Sequence, residues 1–287
     1  MPALNHKQFR PEIMVVSILG CGWLGSALGK HLVENGYQVN GSVTRPEKLS
    51  LIEQIGMKSF LLKISDEAVD LSSGFWNCDA LVISSNVRLD NNAGYLNGLE
   101  SIAEILRSKK VKRIVVVSST SVYGEPNAIM DETALAQPNT SSAKRLVDIE
   151  RIFQYIPDTQ TTLMRCGGLV GPGRLPGSFL AGRKNVPNGL APVNLIHLTD
   201  CVGLIECILN TEEPVEVINA VSPDHPSRAD FYTQAAAAQN LTLPEFVPEK
   251  TSWKIVKSLG SANLGYNYQV SNWADWLDEV KSDELRH

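Results

Sequence analysis

Charge of one sign is scarce in this 287-residue chain: 26 Lys and Arg stand against 31 Asp and Glu, a net charge of −5. A mildly acidic chain without basic runs is a poor partner for nucleic acid or an anionic membrane. Hydrophobic residues make up 43% and charged residues 20%, too apolar and too weakly charged for a disordered segment. Long hydrophobic runs are missing too, and no stretch approaches the ~20 apolar residues of a membrane span. Cysteine is sparse. Cys21, Cys78, Cys166, Cys201 and Cys207 are odd in number, scattered, and form no CxxC pair. This excludes a disulfide framework and a zinc module. His6, His31, His225 and His287 make no metal set with Asp or Glu, so no metal is expected. The apolar run at 13–19 leads into a glycine motif rather than a signal-peptide cleavage site,. The SDEL at 282–285 is followed by Arg286 and His287, which is not a retention signal,. The expectation is a soluble cytoplasmic protein that handles small molecules.

What the sequence does contain is a rhythm of short apolar runs, Gly/Ser/Asn breaks and helical stretches. Strands are expected at 13–19, 37–43, 58–64, 80–85, 113–118 and 161–165,. Between them, helices are expected after Gly25 with Leu24, Leu28 and Leu32 on one face, from Pro46, at 92–109, and at 141–154,. Such alternation predicts an α/β fold with a doubly wound parallel sheet. From Gly171 the texture changes to Gly- and Pro-rich loops, a helix at 199–209, a strand at 215–219, and helices at 228–240 and 273–280. Residues 1–170 are therefore expected to form a dinucleotide-binding domain. Residues 171–287 are expected to form a small substrate cap interwoven with it.

The strongest single motif is Gly20-Cys21-Gly22-Trp23-Leu24-Gly25, placed between a strand and a helix. In that context Gly20 allows a tight turn, Gly22 allows close approach of a pyrophosphate, and Gly25 allows helix and strand to pack. The helix amino end adds unpaired N–H groups and partial positive charge. The end of the second strand distinguishes the two dinucleotides. An acid there binds a ribose 2′-hydroxyl, and a base accommodates a 2′-phosphate. Here Thr44 and Arg45 occupy that end, with no Asp or Glu from 38 to 44. NADP is expected in preference to NAD, against the alternative of a solvated arginine before a helix.

Three further segments, Ser118-Ser-Thr-Ser-Val-Tyr-Gly124, Thr140-Ser-Ser-Ala-Lys144 and Arg165-Cys-Gly-Gly-Leu-Val-Gly-Pro-Gly173, follow in order. With the glycine motif they resemble the extended short-chain dehydrogenase/reductase superfamily, its NAD(P)-dependent epimerase/dehydratase group, over residues 13 to about 220. The GCGWLG spelling is similar to a divergent bacterial branch of it. The resemblance implies a catalytic Ser, Tyr and Lys, in which the ammonium lowers the phenol's pKa from about 10. By position Ser119 matches the serine and Lys144 the lysine, which also holds the nicotinamide ribose. Thr140, however, stands where the tyrosine belongs, and an aliphatic hydroxyl is a far weaker acid. Tyr155 lies 11 residues past Lys144, about 16 Å along a helix, and is out of reach. Tyr123 is the remaining substitute acid, with packing or substrate contact as its alternative.

Topology adds Ser84, Ser85 and Asn86, ending the fourth strand, and Ser118, ending the fifth, as cofactor-lining residues. Cys166, Gly167, Gly168 and Leu169 are expected close to the nicotinamide. His197 is an acid/base candidate by residue type, but a lone His between Ile196 and Leu198 reads as structural. Arg174, Arg183 and Lys184 suit an anionic, nucleotide-linked substrate or are solvated charges. The resemblance also implies a homodimer through the helices near 92–109 and 141–154. Packing of Leu146, Ile149 and Ile152 on the sheet accounts for those residues equally. Two functions compete. One is an NAD(P)-dependent reductase or epimerase acting on a polar hydroxyl or carbonyl compound. The other is an NADP-binding sensor that has lost turnover, which Thr140 favours.

Overall fold

A computed structural model of the chain describes residues 14–64, 70, 72–84 and 93–284. It begins with a βαβ unit of β1 (Val15–Leu19), α1 (Trp23–Glu34) and β2 (Gln38–Val43). Then come α2 (Leu49–Gln54), β3 (Lys58–Leu61), β4 (Ala80–Ile83), α3 (Ala93–Lys109) and β5 (Arg113–Ser119). A short β6 (Ala128–Met130) precedes α4 (Ser141–Gln154) and β7 (Gln160–Cys166). The remainder comprises β8 (Gly168–Val170), α5 (Gly177–Leu180), β9 (Leu195–His197), α6 (Leu198–Asn210) and β10 (Val217–Ala220). It ends with α7 (Arg228–Ala238), β11 (Lys254–Val256), α8 (Leu259–Asn263) and α9 (Trp273–Glu284).

Seven strands form one parallel sheet in the order β10-β7-β5-β4-β1-β2-β3. The order reverses between β1 and β4, the place where an open α/β sheet leaves a crevice at its carboxyl edge. The apolar runs read as strands because both faces are covered. Leu24, Leu28 and Leu32 of α1 pack with α6 residues Cys201, Leu204 and Ile205 against Val16, Ile18 and Val115. On the other face, Leu99, Ile102 and Leu106 of α3 join Ile149 and Phe153 of α4 against Leu81, Ile114 and Val116. Strand residues thus alternate between the two helical layers, as a pleat requires.

β10, from beyond residue 171, completes the edge of this sheet beside β7. A separate cluster of Val170, Val193, Leu195, Phe231, Trp273 and Leu277 holds the carboxyl-terminal elements together. The pairings β6 with β11 and β8 with β9 involve three-residue strands, too short for a hydrophobic pattern to reveal. The helix expected from Pro46 is also shorter than its pattern suggests. Pro46 opens a 3₁₀ turn through Lys48, and of α2 only Ile52 is buried. Leu146 packs beside Val122 and Tyr123, while Ile149 and Ile152 pack in the α3–α4 layer. No helix among the described residues is long and apolar enough to cross a membrane.

Candidate functional site: a dinucleotide groove at the sheet's carboxyl edge

The glycine turn is held from both sides. Gly20 has φ +100°, a conformation that favours glycine,. Its N–H donates to Ser42 Oγ at 2.9 Å, and its carbonyl accepts from Ser84 Oγ at 2.8 Å. Cys21 N donates to the Ser42 carbonyl at 2.7 Å, which ties the turn to the end of β2. A Cβ on Gly25 would stand 2.4 Å from the Gly20 carbonyl oxygen and 2.7 Å from Ser84 Oγ, so only glycine fits. A Cβ on Gly22 would meet nothing within 4 Å. That open side faces the start of α1, which has no side-chain cap and no acid in its first turn. The first N–H groups of a helix lack intrahelical partners, so this mouth fits a pyrophosphate.

Thr44 and Arg45 follow Ser42 at the tip of β2, both exposed. The carboxylate beside Arg45 is that of Glu47, with Oε1 4.0 Å from Nη1 and both side chains well exposed. An exposed pair at that separation is weak. The Cys21 thiol is buried, and burial pushes it up to about 12. It serves as a small wall residue of the turn, not a nucleophile. Trp23 and Leu24 open α1, Leu24 buried and Trp23 only partly so. Trp23 Nε1 donates across to the Pro172 carbonyl at 2.8 Å.

The other expected residues divide sharply. Ser84 spends its hydroxyl on the Gly20 carbonyl, so it shapes the turn. Ser85 and Asn86 lie outside the described residues. Ser118 does not face the groove. The pleat turns it to the α3–α4 layer, where its hydroxyl donates to Glu150 Oε1 at 2.6 Å. Ser119, one residue on, is half-buried at the end of β5, in register with Cys166. Its Oγ accepts from Ser121 N at 3.1 Å and keeps its own proton to donate. Cys166 is buried with its sulfur 3.8 Å from that of Cys201 on α6, so its side chain serves the core. Gly168 is exposed and Leu169 half-exposed beyond it.

Both candidate acids hold structural hydrogen bonds. Thr140 is the N-cap of α4, its Oγ1 accepting from Ala143 N at 3.2 Å. Tyr123 is 1% exposed. Its hydroxyl donates to Asn219 Oδ1 at 2.8 Å and accepts from Arg165 Nη1 at 3.1 Å. Burial pushes the phenol above its ordinary range despite the neighbouring guanidinium. These positions argue against Tyr123 as a proton donor to substrate. Lys144 sits exposed in the first turn of α4. His197 is buried, its Nδ1 accepting from Thr199 N at the start of α6, and burial holds its pKa down. Among the described residues, no group of three His, Cys, Asp or Glu side chains gathers as a metal site would.

The structure also joins Ser118, Tyr123 and Arg165 of the motif segments to Glu150 and Asn219 in one polar cluster. Glu150, 3% exposed, takes two hydrogen bonds from Arg165, Nε to Oε1 at 3.1 Å and Nη2 to Oε2 at 2.7 Å. Ser118, Arg165 and Asn219 lie in one row across β5, β7 and β10. A charged residue near the end of a strand with neighbours on both sides was the available signal. Its partner, 15 residues upstream on α4, carried none.

Comparison with known proteins agrees with this geometry. A family model described as NAD(P)H-binding matches residues 20–168. Protein YeeZ of Escherichia coli K12 is 36% identical over 262 residues, covering 88% of this chain and 95% of YeeZ. The UDP-glucuronic acid 4-epimerase of Bacillus cereus, solved with NAD, superposes with a TM-score of 0.77 at 18% identity, over 95% of this chain and 97% of that one. The human epimerase family protein SDR39U1, solved with NADPH, gives 0.73 at 20% identity, over 94% and 100%. The glycine turn, the switch-point crevice and the family match lead to one conclusion: the chain belongs to the NAD(P)H-binding family.

Proposed function

We propose that the chain binds NADP(H) in this groove and uses it as a reductase- or epimerase-type enzyme on a polar, nucleotide-linked small molecule. The observation that carries this reading is an open glycine-turn mouth on the same sheet edge as Ser119, whose hydroxyl has no acceptor among the described residues and so can donate a hydrogen bond. When bound, the nicotinamide supplies or accepts the hydride. The chain's own residues do the rest. Gly22 and the first turn of α1 hold the pyrophosphate, Arg45 and Thr44 meet the 2′-phosphate, and the Lys144 ammonium holds the ribose. Ser119 donates a hydrogen bond to the reacting oxygen. The substrate class is supported by the Bacillus cereus relative, which by name acts on UDP-glucuronic acid.

Two variants test the reading. Arg45→Ala removes the guanidinium at the tip of β2, and charge-assisted contacts to phosphate are the strong ones. Titration should show NADPH binding weakened by roughly tenfold or more, with NADH changed by less than about twofold. Tighter binding of NADH than NADPH by the unaltered chain would remove the NADP assignment. Lys144→Ala should lower turnover by at least about 100-fold, because the ribose it holds positions the nicotinamide, while NADPH still binds, weakened by about tenfold or less.

A second reading, a dinucleotide-responsive sensor without turnover, is favoured by one specific arrangement. Thr140 is engaged as a helix cap and Tyr123 is buried in the Arg165 cluster. A panel of carbonyl compounds and nucleotide sugars that never oxidises bound NADPH would select it.

A further inference from the structure

Trp23 is the first residue of α1, at the mouth that receives the pyrophosphate. Its indole is fastened to the loop after β8, through Nε1 to the Pro172 carbonyl at 2.8 Å. That loop folds back tightly: Arg174 N donates to the Gly171 carbonyl at 2.9 Å, and Gly173 has φ +73°. The turn sets the Arg174 guanidinium over the Trp23 ring, 5.7 Å from its centre. Arg174 is exposed, and among the described residues no carboxylate pairs with it. The cap loop thus delivers a cation to the start of a helix that has no acidic residue in its first turn.

We propose that Arg174 is a diphosphate-binding residue, its guanidinium closing on the pyrophosphate of the dinucleotide from the cap side. The inference rests on the dinucleotide reading above and extends it to the cap. The glycine turn offers the two phosphates only N–H groups and a partial helix charge. A planar guanidinium adds a full charge and paired donors that match phosphate geometry. Trp23 is a positioning residue: stacking and the bond to Pro172 hold the guanidinium in place. Because Trp23 belongs to the glycine motif and Arg174 to the cap loop, cofactor binding and cap placement become linked.

The diphosphate of a nucleotide-linked substrate shares this chemistry, so the test uses three probes: NADPH, adenosine 2′-monophosphate and UDP. Titrated against the full chain, Arg174→Ala should weaken NADPH about tenfold and leave adenosine 2′-monophosphate unchanged. Arg174→Lys should recover part of the loss, since it restores charge without the fork. Trp23→Phe should cost less alone and add little to Arg174→Ala, because both act through one contact. Equal NADPH affinity in Arg174→Ala and the unaltered chain would overturn the proposal. So would a loss confined to UDP, which would move Arg174 to a substrate's diphosphate. Equal losses of NADPH and adenosine 2′-monophosphate would also overturn it, because they mark damage to the whole site. An unaltered chain that binds neither NADPH nor NADH would instead refute the dinucleotide reading itself, and the clamp with it.

Discussion

Arg165→Ala is expected to lower the stability of the fold by about 3–5 kcal/mol, the cost of leaving one member of a buried pair unpaired. Arg165 and Glu150 are 7% and 3% exposed, so water cannot readily take the place of a missing partner. Glu150 would keep only the Ser118 hydroxyl, and Tyr123 would lose the Nη1 donor it now accepts from. The guanidinium also lies 4.9 Å from the centre of the Tyr123 ring, so its removal opens space beside a buried aromatic. Urea unfolding monitored by far-ultraviolet circular dichroism measures the change. Replacing both partners together, Arg165→Met with Glu150→Leu, should restore much of the loss, because no isolated charge then remains. A loss below about 1 kcal/mol for Arg165→Ala would mean that the pair is solvated in solution, contrary to the structure.

The second large effect separates binding from stability within the glycine turn. Gly25→Ala forces a methyl carbon to within 2.4 Å of the Gly20 carbonyl oxygen, a backbone atom that cannot swing aside. The turn must open. Overpacking of this kind costs about 1–3 kcal/mol. NADPH affinity should fall by about 100-fold or more, because a displaced turn withdraws several N–H donors from the phosphates at once. Gly22→Ala is the control, since its methyl would meet no protein atom within 4 Å. Thermal unfolding should show Gly22→Ala close to the unaltered chain, while NADPH titration shows it impaired by steric exclusion of the pyrophosphate. Normal NADPH binding by Gly22→Ala would place the dinucleotide elsewhere.

The same residues show what could be read in advance. The apolar runs of β1 and β5, and the four-residue spacing of Leu24, Leu28 and Leu32, depend on local periodicity, and the structure follows them. The glycine spacing of the turn is equally local, because tight turns and close helix–strand contact admit few other residues. The bounds of α2 were harder. A short helix on the surface shows only one buried side chain, Ile52, and Pro46 serves a 3₁₀ turn instead.

The side chains around the groove depend on less local facts. Ser118 and Ser119 are adjacent, yet the pleat sends Ser118 to Glu150 and leaves Ser119 at the strand end with a proton to donate. Strand alternation held that distinction, but only once the helix covering each face was known. Thr140 resembles a degenerate catalytic position and acts as an N-cap. Cys166 resembles a groove residue and packs against Cys201.

From sequence alone, then, the chain's parallel sheet, its glycine turn, and the basic tip of β2 at Arg45 were determined, because each rests on neighbouring residues and on backbone conformation. Tertiary structure decided the rest. Arg165 and Glu150 met, Tyr123 was withdrawn into the core, and Arg174 came over Trp23 through contacts between segments distant in the chain. Such contacts leave no periodicity behind, since the burial that makes an ion pair strong or a phenol inert depends on what folds over it.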